Sequence, residues 1–380
     1  MMKILLEFDF SNIWLNIALF AFGFCVLIQL FYYWGIFSRL AFYKRKDATS
    51  SPQSVSVVIC AKNEFHNLDK NLPLILEQDY PDFEVVVVDD CSDDDTYYLL
   101  KALSDKYERL KVLTLKETVS FVKGKKFPLA VGIKSTQHDI LLLTDADCCP
   151  KSNRWIYEMQ SHFTEKSEIV LGYGGYEFQK GAANRLIRFD TVFIAMQYLS
   201  YALFGLPYMG VGRNLAYRKS LFYKNKGFSS IYHIKSGDDD LFVNQAATKK
   251  NTCIEIQTNA QTVSIPEASF PLWMQQKRRH MSTGKYYKMK HKFLLTLFSI
   301  TLILYYILFI ILMIYLHNII IIVPLFILRT FSQMFIFKKC MNKLDEKKLL
   351  LISPWFEVVI NIINPFLMFS NSMVKQTKWK

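Results

Sequence analysis

Long uncharged runs occupy both ends of this chain, whereas the middle alternates short apolar runs with polar breaks. "IWLNIALFAFGFCVLIQLFYYWGIF" (13–37) carries no charge and is long enough to cross a bilayer as a helix. It is too long for a signal peptide, and no small-residue cleavage site follows it. Lys44-Arg45-Lys46 comes next, with few positive residues upstream, which places the middle of the chain in the cytoplasm by the positive-inside rule. A second span is expected at "FLLTLFSITLILYYILFIILMIYL" (293–316), behind the basic stretch "KYYKMKHK". A third is expected at "NIIIIVPLFILRTFSQMFIF" (318–337), interrupted by Pro324 and Arg329 and closed by Lys338-Lys339. Residues 354–373 include Glu357, Asn361, Asn364 and Pro365, which are expensive in hydrocarbon, and a fourth crossing would export a Lys-rich tail. An interfacial or re-entrant helix is therefore the expectation there.

The middle reads differently. "SVSVVICAKNE" (54–64) predicts a strand, and Leu68, Leu72, Ile75 and Leu76 then recur at helical spacing. "PDFEVVVVDDCSDDDT" (81–96) predicts a second strand ending in Asp89-Asp90, followed by a helix through 97–107 and a third strand at 109–116. A helix over 126–137 feeds the strand "DILLLTDAD", which ends in Asp145-Ala146-Asp147. Alternation of strands and helices with fully apolar strands predicts a mostly parallel sheet covered on both faces. "TVFIAMQYLSYALFGL" (191–206) is short for a span and contains Gln197, so a helix packed on the domain or on the membrane surface is expected.

Sheets of this kind bind ligands outside the carboxyl ends of their strands, where both acidic clusters fall. Two carboxylates one residue apart repel unless something positive sits between them, and a hard divalent cation suits such a pair. A single Asp-x-Asp would be an ordinary solvated loop, but two clusters at corresponding strand ends favour one shared cleft.

Composition adds two constraints. A formal net charge of +13 is compatible with nucleic acid, yet much of it flanks the apolar runs, so anionic headgroups are the more economical partner. The seven cysteines form no CxxC pair or zinc spacing, as expected of reduced thiols. "GYGGYEF" (172–178) and "GVGRN" (210–214) complete no dinucleotide fingerprint and are expected as turns lining the cleft. The absence of GxxxxGK[ST] excludes a P-loop.

Taken in order, "VSVVICAKNE", "VVVVDDCSDDDT", "KGKKFPLAVGIKSTQHDILLLTDAD", "GVGRNLAYRKSLFYKNKGF", "SGDDDLF" and "QQKRRH" resemble the motifs of the family 2 glycosyltransferases, over about residues 54–285. The resemblance implies an α/β GT-A fold, with a mostly parallel, Rossmann-like sheet in a cytoplasmic domain at 50–285, flanked by transmembrane helices of the inner membrane. It implies transfer of a sugar, with inversion, from a nucleoside diphosphate (most often UDP) to a lipid-linked or saccharide acceptor.

The resemblance also implies residue roles. Asp147 would hold Mg2+ or Mn2+, and Asp145 would contact the metal or the ribose. Asp90 or Asp89 would meet the base, Glu64 would help hold the nucleoside, and Lys125 or Lys126 would neutralise charge nearby. Gln276 and Arg279 form the QxxR element, with Arg279 as a diphosphate clamp. The general base falls in the acidic triplet, at Asp239, or at Asp238 in the alternative register, with Asp240 structural. His280 stands where processive synthases of the family carry Trp, which points away from a polysaccharide synthase. The intact carboxylates oppose a silent nucleotide-sugar-binding subunit.

Overall fold

The computed structural model describes residues 12–45, 51–116 and 124–373. The described residues form two compact units, one made of residues 12–43 with Lys288–Leu367, the other of Lys44–Tyr287.

In the first unit, α1 (Ile13–Leu30) runs through a π-helical stretch at Phe31–Phe37 into α2 (Ser38–Ala41). Together they make an apolar helix over Ile13–Ala41, four residues longer than the uncharged run suggests.

The second unit begins with β1 (Val55–Ala61), α3 (Phe65–Leu76), β2 (Phe83–Asp90), α4 (Thr96–Lys106) and β3 (Leu110–Leu115). Next come α5 (Lys126–Ser135), β4 (Ile140–Asp145), β5 (Cys148–Pro150), α6 (Trp155–Gln160), β6 (Ile169–Leu171) and β7 (Gly174–Tyr176). After α7 (Ala182–Phe204) come β8 (Leu215–Arg218), α8 (Lys219–Lys224), α9 (Asp240–Ala246), β9 (Thr252–Ile254), β10 (Thr262–Ser264) and α10 (Phe270–Met281).

The main sheet has the order β3-β2-β1-β4-β8-β6-β9, and a small second sheet has the order β5-β10-β7. Strands β3, β2, β1 and β4 are mutually parallel, and β8 runs antiparallel to both β4 and β6. Every residue of β1 and β2 is buried, which explains the β-branched runs Val57-Val58-Ile59 and Val85-Val86-Val87-Val88. Each Val withdrawn from water in this core contributes about 1.5–3 kcal/mol. Gly132 lets α5 lie close on the sheet, since a Cβ there would sit 2.9 Å from both Val58 and Val88. Helix α7 is mostly buried and is not among the helices apolar enough to cross a membrane.

The first unit is completed by α11 (Met289–Ile314), α12 (Ile319–Lys343) and, as far as Leu367, α13 (Ser353–Met373). Among the described residues, four helices are long and apolar enough to cross a membrane, the fourth over Leu350–Leu367. The residues that made two of these segments look costly are partners of each other. Arg329 and Glu357 are both fully buried, with Nη2 of Arg329 2.9 Å from Oε2 of Glu357. Gln29, Gln333 and Tyr33 complete the network around Arg329 at 2.9–3.0 Å. Tyr33 also donates to Glu357.

Candidate active site

The sheet register brings the two acidic clusters beside one strand. Asp89 pairs with Ala61 and Asp145 with Cys60, so they end the two neighbours of β1. The loop after β1 is tied to the loop after β2. Asn63, at a left-handed φ of 54°, donates its amide to Ser92 Oγ at 2.9 Å and accepts from the Asp93 amide at 2.7 Å. Asp89 accepts from the Ser92 amide at 3.1 Å. Asp90 is buried, and burial together with the neighbouring Asp89 raises its pKa against the pull of Lys62. Glu64 is buried too, and its carboxylate accepts from Asn67 at 2.6 Å.

Lys125 lies between the carboxylate that ends β4 and the first carboxylate of the acidic triplet. Its ammonium pairs with Asp145 and stands 3.8 Å from Asp238 Oδ2. Burial pulls the lysine down, but these two carboxylates outweigh it and hold the pKa well above its ordinary value. Asp145 in turn is held low: burial raises it, and Lys125, Arg213 and Arg279 more than reverse that. Asp147 goes the other way, raised by burial and by Asp145. Lys126 is buried and turned elsewhere, donating to the carbonyls of Ile234 and Ser236 just before the acidic triplet.

The triplet separates into three environments. Gly237, at φ 102°, turns the chain into it, where a Cβ would strike Leu241. Asp238 faces Lys125, and burial raises its pKa. Asp239 caps α9, accepting from the Asp240 amide, and its other oxygen accepts from the Gly212 amide, both at 2.7 Å. Asp240 is buried and satisfied by Thr283 at 2.5 Å, Tyr287 at 2.7 Å and the Leu241 amide at 2.7 Å. Burial and Asp239 still push it up to about 7.

Helix α10 carries the QxxR element. Lys277 forms a buried pair with Asp190 of α7 at 2.6 and 2.7 Å, and its ammonium lies over the Trp273 ring. Gln276 accepts from the Tyr176 hydroxyl at 3.2 Å, and the Tyr176 ring carries the guanidinium of Arg213, 4.4 Å from its centroid. Arg279 is half-buried and lowers the pKa of Asp145. Arg213, Tyr176, Lys277 and Asp190 were not legible as site residues. "GVGRN" looked like a turn, and Lys277 looked like one more basic residue beside the membrane.

Ligand atoms of Asp145, Asp147 and Cys148 lie within 4.8 Å of one another, and the Cys148 thiol donates to Asp147 at 3.4 Å. Two carboxylates this close, one of them raised by the other, suit a hard divalent cation.

Comparison with known proteins bears on the family and the fold. Residues 56–225 match the family model Glycosyl transferase family 2, and residues 142–337, more than half of the chain, match Glycosyl transferase family group 2. The chain belongs to the family 2 glycosyltransferases. The beta-monoglucosyldiacylglycerol synthase of Trichormus variabilis is 29% identical over 158 residues, 41% of this chain and 32% of that protein. Glycosyltransferase AglE of Haloferax volcanii is 34% identical over 132 residues, 34% of this chain and 41% of that protein. The UDP-Glc:alpha-D-GlcNAc-diphosphoundecaprenol beta-1,3-glucosyltransferase WfgD of Escherichia coli is 28% identical over 123 residues, 32% of this chain and 46% of that protein. These matches thus span less than half of each relative's length. Among solved structures, the mannosyltransferase PcManGT from Pyrobaculum calidifontis, in complex with GDP-Man and Mn2+, superposes with a TM-score of 0.58. That match has 17% identity and covers 88% of this chain and 99% of that one, which shows the GT-A fold.

Proposed function

We propose that this glycosyltransferase is membrane-anchored and inverting, and moves a sugar from a nucleoside diphosphate, UDP in the first instance, to a lipid-linked or membrane-associated saccharide acceptor. The observation that carries the reading is Lys125, whose ammonium meets Asp145 on the donor side and Asp238 on the acceptor side. A donor sugar held at Asp145 and Asp147 would thus have its anomeric carbon near the acidic triplet.

Asp145 and Asp147 are the residues that would hold Mg2+ or Mn2+. Bound there, such an ion would take up the negative charge that gathers on the leaving diphosphate. Asp90, or Asp89 beside it, would accept from the base, with Glu64 supporting the nucleoside. Arg279 would meet phosphate oxygens. The acceptor hydroxyl would attack the anomeric carbon opposite the leaving diphosphate. One C–O bond forms as the other breaks, and the hydroxyl proton passes to Asp239. Gly212 and the Asp240 amide hold that carboxylate still. Lys126, bound to the loop before the triplet, positions it.

The four apolar helices support residence in the inner membrane, with the catalytic unit cytoplasmic by the distribution of Lys and Arg. Relatives described as acting on a diacylglycerol lipid and on diphosphoundecaprenol support a lipid-borne acceptor. The test is release of nucleoside diphosphate by the purified full chain from a panel of UDP- and GDP-sugars, with a membrane lipid extract as acceptor source. Release from one donor that rises with the extract is the expected result. No release from any donor, with no binding of UDP or GDP, would reject the reading.

A further inference from the structure

Arg213 spends none of its side-chain donors on a hydrogen bond among the described residues. Its backbone carbonyl is fixed by the hydroxyls of Thr144, at 3.0 Å, and Thr262, at 2.9 Å, so its position is set by two strands. Its guanidinium lies over the Tyr176 ring and makes no hydrogen bond or ion pair to any described residue, and Nη1 is shut off from water without a partner. A guanidinium packed face-on, with its donor edge unspent, is the shape that meets phosphate oxygens bidentately. Leaving it unpaired is costly, since a buried donor without an acceptor loses the full price of its desolvation.

Its place in the cleft is equally specific. The preceding residue, Gly212, donates to Asp239, and a Cβ at Gly212 would lie 3.4 Å from that carboxylate and 3.6 Å from Lys125 Nζ. Arg213 and Arg279 both act on Asp145, whereas Lys125 is already engaged by carboxylates. Two guanidinium groups beside the cation site leave Arg213 available to phosphate oxygens that Arg279 does not reach.

We propose that Arg213 binds a phosphate group of a substrate, with Tyr176 as the platform that holds its guanidinium flat and Gln276 as the clasp on that platform. The inference rests on the glycosyltransferase reading. The phosphate has two sources: the linkage of a phosphate-borne lipid acceptor, beside the base at Asp239, or the donor's own diphosphate.

The experiment uses the full chain in detergent micelles. Binding of UDP and of GDP with Mn2+, and separately of a polyprenyl phosphate, is measured for wild type, Arg213→Gln, Arg213→Lys and Tyr176→Ala. A charge-assisted contact of this kind is worth about tenfold to a hundredfold in affinity. Arg213→Gln is expected to weaken one ligand by that factor, Arg213→Lys to recover part of it, and Tyr176→Ala to weaken the same ligand. Loss for the polyprenyl phosphate alone assigns the acceptor, and loss for the nucleotide assigns the donor. If every variant binds both ligands within twofold of wild type, Arg213 does not bind phosphate and the inference is wrong. Should Arg213→Gln fail to fold, Arg213→Lys and Tyr176→Ala decide by the same criteria. A wild-type chain that binds no nucleotide would instead reject the enzymatic reading on which the inference rests.

Discussion

The amide of Gly212 donates to Oδ2 of Asp239 at 2.7 Å, and that contact ties the loop before β8 to the carboxylate in the middle of the acidic triplet. It distinguishes Asp239 from its neighbours: Asp238 answers to Lys125, and Asp240 to Thr283 and Tyr287. Asp239→Asn keeps the shape and loses the ability to take a proton. Turnover is expected to fall by about 10²–10⁴, the usual worth of a positioned base, while donor affinity holds. Asp238→Asn, measured beside it, should be milder. If Asp238→Asn alone abolishes turnover, the base lies one residue earlier.

The metal reading makes a separate demand. Asp147→Asn removes one of two carboxylates at the end of β4, and excess chelator removes the ion itself. Both are expected to abolish transfer while leaving the melting temperature of the solubilised protein within a few degrees of the untreated wild type. Full transfer in excess chelator would show that the Asp145–Asp147 pair needs no cation.

Asp240 supplies a pH dependence with a defined sign. Its pKa of about 7 in the folded chain lies above the ordinary carboxylate value of about 4. Between those two values the folded chain keeps the proton and the unfolded chain has lost it. The stabilising contribution is therefore complete at the acid end of that window and is lost as pH rises through about 7. Melting temperatures of the solubilised protein from pH 5 to 8 should fall more steeply for wild type than for Asp240→Asn. Parallel curves would show that Asp240 does not titrate in that range.

The Arg329–Glu357 pair should behave as a unit. Removing one partner strands a charge among apolar helices, at a cost of about 3–5 kcal/mol, whereas replacing both with apolar residues of similar volume is commonly near neutral. Arg329→Met is expected to lower the thermal stability of the solubilised chain sharply. The double variant Arg329→Met, Glu357→Leu is expected to regain most of the loss. A double variant as unstable as the single one would show that the two side chains act independently.

The sheet and its acidic ends were legible because β1, β2 and β4 are mostly apolar runs, the last two of which stop at carboxylates. The register then needed only alternation with helices to place those ends together. The second sheet was not legible, since β5, β7 and β10 are three residues each, too short for a period to show. Residues whose meaning depends on a distant partner were also hidden. Glu357 looked prohibitive because Arg329 belongs to another helix, and Lys277 looked solvent-facing because Asp190 lies in α7. Arg45 was read with its neighbours as a headgroup contact, yet it pairs with Glu158 at 2.6 Å and Glu255 at 2.8 Å. Lys125 was placed near the nucleotide base by resemblance alone, and only the fold shows it between Asp145 and Asp238.

The wide turns at Phe31–Phe37 bear on how the length of this chain can change over its descent. A π stretch is an α-helix that has taken in an extra residue without rotating the segments on either side. Loss of one residue there would close the helix to its regular form and leave Gln29 still facing Phe298 and Thr301. The same deletion within Ile13–Leu30 would swing everything before it by about 100° and carry Phe22 off its stack against Tyr305. Homologues one residue shorter in this anchor should therefore have the gap between 31 and 37, and a regular helix in place of the bulge.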